Sequence, residues 1–149
     1  GPDDVDGGVA ATRTPDFDLT GYARVRLVMN YFFGQDVTGN DPTGDGFMID
    51  VSPDGGASWV NLVQLGDVET APDWRSLSVR LEDFIPLTNQ VRVRVRVSDG
   101  LLSTDIIEGG IDDFYLTDGG LENLQPAAPT AISPPDGATD LPGGFGSGR

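Results

Sequence analysis

Along most of this chain apolar and polar residues alternate one by one. The clearest run is Gln90 to Ser98, where Val91, Val93, Val95 and Val97 fall on one side and Arg92, Arg94 and Arg96 on the other. A strand turns successive side chains to opposite faces, so this is the pattern of a half-buried antiparallel strand with one wet face. Ala23 to Phe33 repeats it, with Val25, Leu27, Met29 and Tyr31 against Arg24, Arg26, Val28 and Asn30, before turning aromatic at Phe32 and Phe33. Phe47, Ile49 and Val51 predict a third strand, Trp59 to Leu65 a fourth, Leu77, Val79 and Leu81 a fifth, and Ile111 to Thr117 another. A short early strand around Val9 to Arg13 brings the total to about seven. No window shows a convincing helical stripe. Short alternating strands separated by Gly, Asp and Pro predict an all-β fold, an antiparallel β-sandwich of jelly-roll type.

Two polar stretches interrupt the strands, Gly34 to Gly46 and Ser98 to Gly110, and connections of that length in a compact domain usually bind something or move. From Leu121 the character changes to a Pro- and Gly-rich sequence. Residues 1–120 are therefore read as the sandwich, and 121–149 as a linker or the opening of a following immunoglobulin-like module.

Composition narrows the chemistry. Cysteine, histidine and lysine are all absent. That removes disulfides, thiolate nucleophiles, Ser-His-Asp arrangements, zinc sites of sulfur or imidazole, Schiff-base lysines and the phosphate-binding loop. Nine arginines face 24 acids, 20 of them Asp, and the net charge of -15 repels nucleic acid and anionic lipid. No apolar run reaches the roughly 20 residues of a membrane span. Abundant Asp and Gly without lysine suit a secreted protein whose carboxylates stay hydrated or hold divalent cations. A pair of carboxylates could in principle hydrolyse a glycosidic bond, but nothing in the sequence marks such a pair, and the expectation is that the chain is not an enzyme.

Ser52-Pro53-Asp54-Gly55-Gly56-Ala57-Ser58-Trp59 fits S-x-D-x-G-x-[ST]-W and resembles the Asp-box. It reads as a hairpin device: Asp54 accepts N–H bonds inside the turn, the glycines permit positive φ, and Trp59 buries its ring on re-entering the sheet. Acidic clusters occur at Asp3, Asp4 and Asp6, at Asp41 and Asp45, and at Glu108, Asp112 and Asp113. The pair Asp112-Asp113 lies inside an otherwise apolar strand, so strict alternation sends one carboxylate inward, where it needs a calcium ion, an arginine or the N–H groups of a bulge. Asp41 and Asp45 read as solvated surface. The arginine rows Arg24/Arg26 and Arg92/Arg94/Arg96, with Arg80, could form a basic stripe, but Asp50 and Glu82 stand at comparable outward positions and cross-strand ion pairs explain the rows better. Trp59, Trp74, Tyr22, Tyr31, Phe32 and Phe33 read mainly as core, with Tyr22, Trp74, Arg92 and Arg94 as a possible ligand platform.

Three segments stand in a suggestive order: Asp4-Val5-Asp6-Gly7-Gly8, then Thr14-Pro15-Asp16-Phe17-Asp18-Leu19-Thr20-Gly21, then Asp45-Gly46-Phe47-Met48-Ile49-Asp50-Val51 running into the Asp-box. Val91-Arg92-Val93-Arg94 and Glu108-Gly109-Gly110-Ile111-Asp112-Asp113-Phe114 follow them. Together, over about Asp3 to Thr117, they resemble the MAM-like jelly-roll modules of secreted bacterial proteins, such as those that follow zinc carboxypeptidases and immune-inhibitor-A-like metallopeptidases. The resemblance implies an extracellular, non-catalytic module stabilised by Ca2+, with Asp4, Asp6, Glu108, Asp112 and Asp113 as candidate ligands. Its partners would be other modules of the same polypeptide, a glycan or a cell-surface protein. Related modules carry a further aromatic-rich first strand, missing here, which predicts an open sheet edge for the tail or a neighbouring subunit to fill. A structural subunit of a filament, sheath or surface layer, polymerised through that edge, is the alternative reading, and a carbohydrate-binding module is a further one.

Overall fold

A computed structural model describes residues 8–35, 44–66, 73–100 and 107–118, and the backbone of 123–124. Its strands are β1 (Gly8–Arg13), β2 (Arg26–Gln35), β3 (Gly46–Ser52), β4 (Val60–Leu65), β5 (Arg75–Arg80), β6 (Arg92–Asp99), β7 (Ile107–Thr117) and the two-residue β8 (Asn123–Leu124). The alternating stretches of β2, β3, β5 and β6 became strands because one face of each is apolar enough to be buried, whereas β1 is exposed at all six residues and is held by its pairing with β6. Sheet 1 has the order β1-β6-β3-β4 and sheet 2 the order β5-β2-β7-β8. All the strand pairs are antiparallel. Apart from the β3–β4 hairpin, the chain passes from one sheet to the other between β1 and β7, and the two sheets form an antiparallel β-sandwich. No helix among the described residues is long and apolar enough to cross a membrane.

The valines of β6 and the odd-numbered residues of β2 meet in the middle. Leu27, Met29 and Phe33 of β2, Phe47, Ile49 and Val51 of β3, Val91 before β6, and Leu116 of β7 are all buried. Phe47 joins the sheets, its ring stacked at 5.4 Å on Tyr31 and tilted at 6.1 Å against Phe33. The sheets come so close beneath it that a Cβ on Gly109 would lie 2.6 Å from Val97 Cγ2, so glycine is required there by space. Phe17 and Leu19, in the crossover from β1 to β2, close one end of the core and are tied to it by the N–H of Phe17 donating to the Val91 carbonyl at 2.8 Å.

Candidate binding surfaces

The Asp-box is a self-contained hairpin. The Ser52 hydroxyl donates to Asp54 Oδ1 at 2.8 Å and accepts the Gly56 N–H, while Asp54 receives the Ser58 N–H at 2.8 Å and the Ser58 hydroxyl. The Ser58 hydroxyl, then its N–H, then the Ser52 hydroxyl favour the charged carboxylate and pull its pKa down to about 2. Gly55 and Gly56 sit at φ 70° and 99°, the conformation the motif predicted. Trp59 departs from expectation: its ring is half-buried rather than enclosed, because it lies on the outer face of sheet 1 with the Arg94 guanidinium 4.0 Å above it.

That guanidinium belongs to a buried ionic cluster. Asp50 of β3 is 2% exposed and receives Nη2 of both Arg94 and Arg96 at 2.9 Å and Asn61 Nδ2 at 2.9 Å. Beside it Arg92 holds Asp16, whose hydrogen bond raises the guanidinium pKa further. Arg92 and Arg94 therefore lie on sheet 1, engaged with acids, whereas Trp74 immediately precedes β5 in sheet 2. Tyr22 lies in the turn before β2, its N–H donated to the Leu19 carbonyl. The four platform candidates do not share one sheet.

The acids of β7 also depart from simple alternation. Asp113 takes a positive φ of 53°, and the pairing of β2 with β7 slips between Val28 and Asn30. This bulge places both Asp112 and Asp113 at the surface instead of sending one inward. Asp112 Oδ1 accepts the Asp113 N–H at 2.7 Å, and Asp113 Oδ2 accepts Asn30 Nδ2 at 2.8 Å. Glu108 is exposed four residues earlier on the same strand, roughly 13 Å away at about 3.3 Å per residue. Asp4 and Asp6 lie outside the described residues, as does Asp41. Among the described residues no three acidic side chains form a group that could hold a metal ion.

Sequence reasoning missed a different acidic site. Asp45, expected on a solvated surface, is only 7% exposed, and Asp99 4%. Gly46 pairs with Ser98, so the two aspartates flank the same end of the β3–β6 ladder. Gln35 Nε2 donates to Asp45 Oδ2 at 2.8 Å and the Gly100 N–H to Oδ1 at 2.9 Å. These are hard oxygen donors of the kind calcium prefers. Periodicity gave no signal for them, since each stands at the end of a strand where alternation stops.

Two further surfaces emerge from the topology. β2 covers one side of β7 along its length, but on the other side β8 pairs only with Leu116 and Thr117. From Ile107 to Tyr115 no described strand adjoins that edge. Beside it an apolar groove of about 240 Å³ opens between the sheets, lined by Thr12 and Thr14, by Val93 and Val95 of β6, and by Ile111 and Phe114 of β7. The second surface is the outer face of sheet 2. At one end Arg24, Arg26 and Arg80 line a pocket of about 220 Å³ with Val25 and Asp118, and at the other Trp74, 55% exposed, meets Phe32 edge to face at 4.9 Å. Glu82, expected among cross-strand ion pairs, instead accepts the Val25 N–H at 3.0 Å. Burial raises its pKa, but that N–H, its own N–H and the charges of Arg80 and Arg24 outweigh the penalty and hold it below the ordinary value. No family model matches this chain, and no curated protein matches it either.

Proposed function

We propose that this chain is a non-catalytic binding or adhesion module of a secreted bacterial protein, calcium-stabilised and of the MAM-like kind, which holds a partner at the open side of its sandwich. The observation that supports this reading is the conjunction of the β7 edge with the apolar groove beside it. Backbone N–H and C=O groups along an uncovered strand are a template for an extended segment, and a groove between the sheets accepts its alternate side chains. Calcium stabilisation draws support from the buried carboxylates Asp45 and Asp99, flanked in sequence by Asp36, Asp41 and Asp105 and by no lysine, arginine or histidine within either loop.

The same edge favours a second reading, a structural subunit joined to its neighbours by strand exchange. Native mass spectrometry over the micromolar range, paired with thermal melts in millimolar calcium and in chelator, tests both. A monomer whose midpoint rises in calcium fits the module, because a metal that binds only the folded chain stabilises it by mass action. Long assemblies abolished by Ile111→Lys fit the subunit. A midpoint indifferent to calcium and chelator would remove calcium from the proposal.

A further inference from the structure

The outer face of sheet 2 is a graded surface. Residues of β2 and β5 that pair directly share a face, and the pairs Arg26–Arg80, Val28–Ser78 and Asn30–Ser76 run in order toward the Phe32–Trp74 contact. One end is cationic, the middle carries hydroxyl and amide groups, and the far end is aromatic. The Phe32 ring lies over Gly110, where a Cβ would collide with it, and so stands as a fixed support for Trp74. Six residues separate Arg26 from Phe32 on an extended strand, roughly 20 Å.

The cationic end is unusual in a chain of net charge -15. Arg26 and Arg80 occupy directly opposed positions, an arrangement in which like charges repel. Arg13 opposes Arg94 in the same way on sheet 1, but there Arg94 is held by the buried Asp50. On sheet 2 Arg26 donates to the Ser78 hydroxyl at 3.1 Å, and Arg80 makes a 3.4 Å contact with Asp83 in which both side chains are more than half exposed. Such exposed contacts are weak, so both guanidinium forks can turn to a ligand. Planar forks converging on one pocket match a carboxylate or sulfate, each of which accepts two parallel N–H bonds.

We infer that this face binds a glycan carrying an acidic sugar among neutral ones, its anionic group at Arg24, Arg26 and Arg80 and its neutral rings along Ser78, Ser76 and Asn30 to Trp74. The exposed indole supplies the apolar face on which a sugar ring stacks. Asp112 and Asp113 border the face at Asn30, between the arginines and the aromatic end, where they repel a second anionic group and accept hydroxyl protons, so the ligand's orientation is fixed by charge. At physiological salt the screening length is about 8 Å, which confines the repulsion of distant acids, and within the pocket the ligand's anionic group competes for the arginines with Asp118 and Asp83. This face is distinct from the β7 groove and is available whether or not that groove is filled.

The test is calorimetric titration in EDTA, which removes calcium bridging, with three oligosaccharides bearing one glucuronate, one galacturonate or one sulfate on an otherwise neutral chain. Each carboxylated sugar is paired with its carboxyl-reduced form, and inorganic sulfate is run alongside. Binding of at least one acidic oligosaccharide is expected, weakened at least about tenfold in its neutral counterpart and in Arg26→Gln/Arg80→Gln, since each charged hydrogen bond lost costs about that factor. Trp74→Ala is expected to weaken binding while leaving the melting midpoint unchanged. Failure of all three sugars to bind at millimolar concentration would overturn the inference, as would equal binding of acidic and reduced forms, or of inorganic sulfate and the oligosaccharides.

Discussion

The two sheets treat arginine in opposite ways. On sheet 1 the row Arg92, Arg94 and Arg96 closes over acids, two of the three guanidinium groups meeting the buried Asp50 and the third meeting Asp16. On sheet 2 Arg26 and Arg80 are set against each other and lean on exposed partners. The same alternating sequence device thus yields a structural clamp where a carboxylate is buried in register, and a cationic pocket where none is. Burial decides the difference, because a desolvated carboxylate must keep its partners while an exposed guanidinium can exchange them with water or a ligand.

The sharpest way to break the comparison is at Asp50. Asp50→Ala leaves Arg94 and Arg96 crowded and partly buried without their counter-ion, and is expected to cost about 3 kcal/mol in urea unfolding. A loss below about 1 kcal/mol would mean that sheet 1 holds its arginines no more tightly than sheet 2.

Acid provides a second handle, at the hairpin next to the clamp. The carboxyl of Asp54 is depressed from 3.8 to about 2 in the folded chain. Its contribution to stability is therefore complete above about pH 4 and is lost as pH falls toward 2. A carboxyl NMR titration is expected to show that low midpoint, and Asp54→Asn is expected to flatten the same part of the stability profile.

On sheet 2 the Glu82 carboxyl reports the arginine field. Arg24→Gln/Arg80→Gln is expected to raise its pKa toward the ordinary value, shrinking a stabilisation that is present above the unfolded-state pKa and lost as pH falls through the folded one. An unmoved Glu82 would mean that its hydrogen bonds to the Val25 N–H and to its own N–H hold it down without the arginines. The smallest effect is expected at Arg80 itself. Arg80→Ser removes one of two opposed like charges and should leave stability within about 0.5 kcal/mol of the parent, by thermal melt. A clear loss would place Arg80 in a structural clamp like that of Arg94.

Most strands were legible because alternation is enforced by burial, but β1 forms with all six residues exposed, and Leu81, read as the end of the fifth strand, begins a 3-10 turn instead. The Asp-box was legible for a local reason, since Ser52, Asp54 and Ser58 bond within one turn. Asp45 and Asp99 were not, because they become neighbours only through the β3–β6 register. Asp113 was misread as half of an alternating pair because one left-handed residue shifts the phase of everything after it, and a bulge leaves no mark in periodicity. The arginine rows were correctly seen as one face of each strand, but period two says only that Arg26 and Arg94 point outward.

The sequence by itself therefore determined an all-β chain, most of its strands, the faces that β2, β3 and β6 bury, and the hairpin that closes β3 on β4. These follow from interactions between residues close along the chain and from the cost of leaving apolar faces wet. Only the tertiary structure decided which strands became neighbours. It put Asp50 beneath two arginines, left Arg26 facing Arg80, and brought Ile111 and Phe114 of one sheet against Val93 and Val95 of the other around an open groove. Sheet order and register are set by how the whole core packs, and that information is spread across every strand rather than written in any one of them.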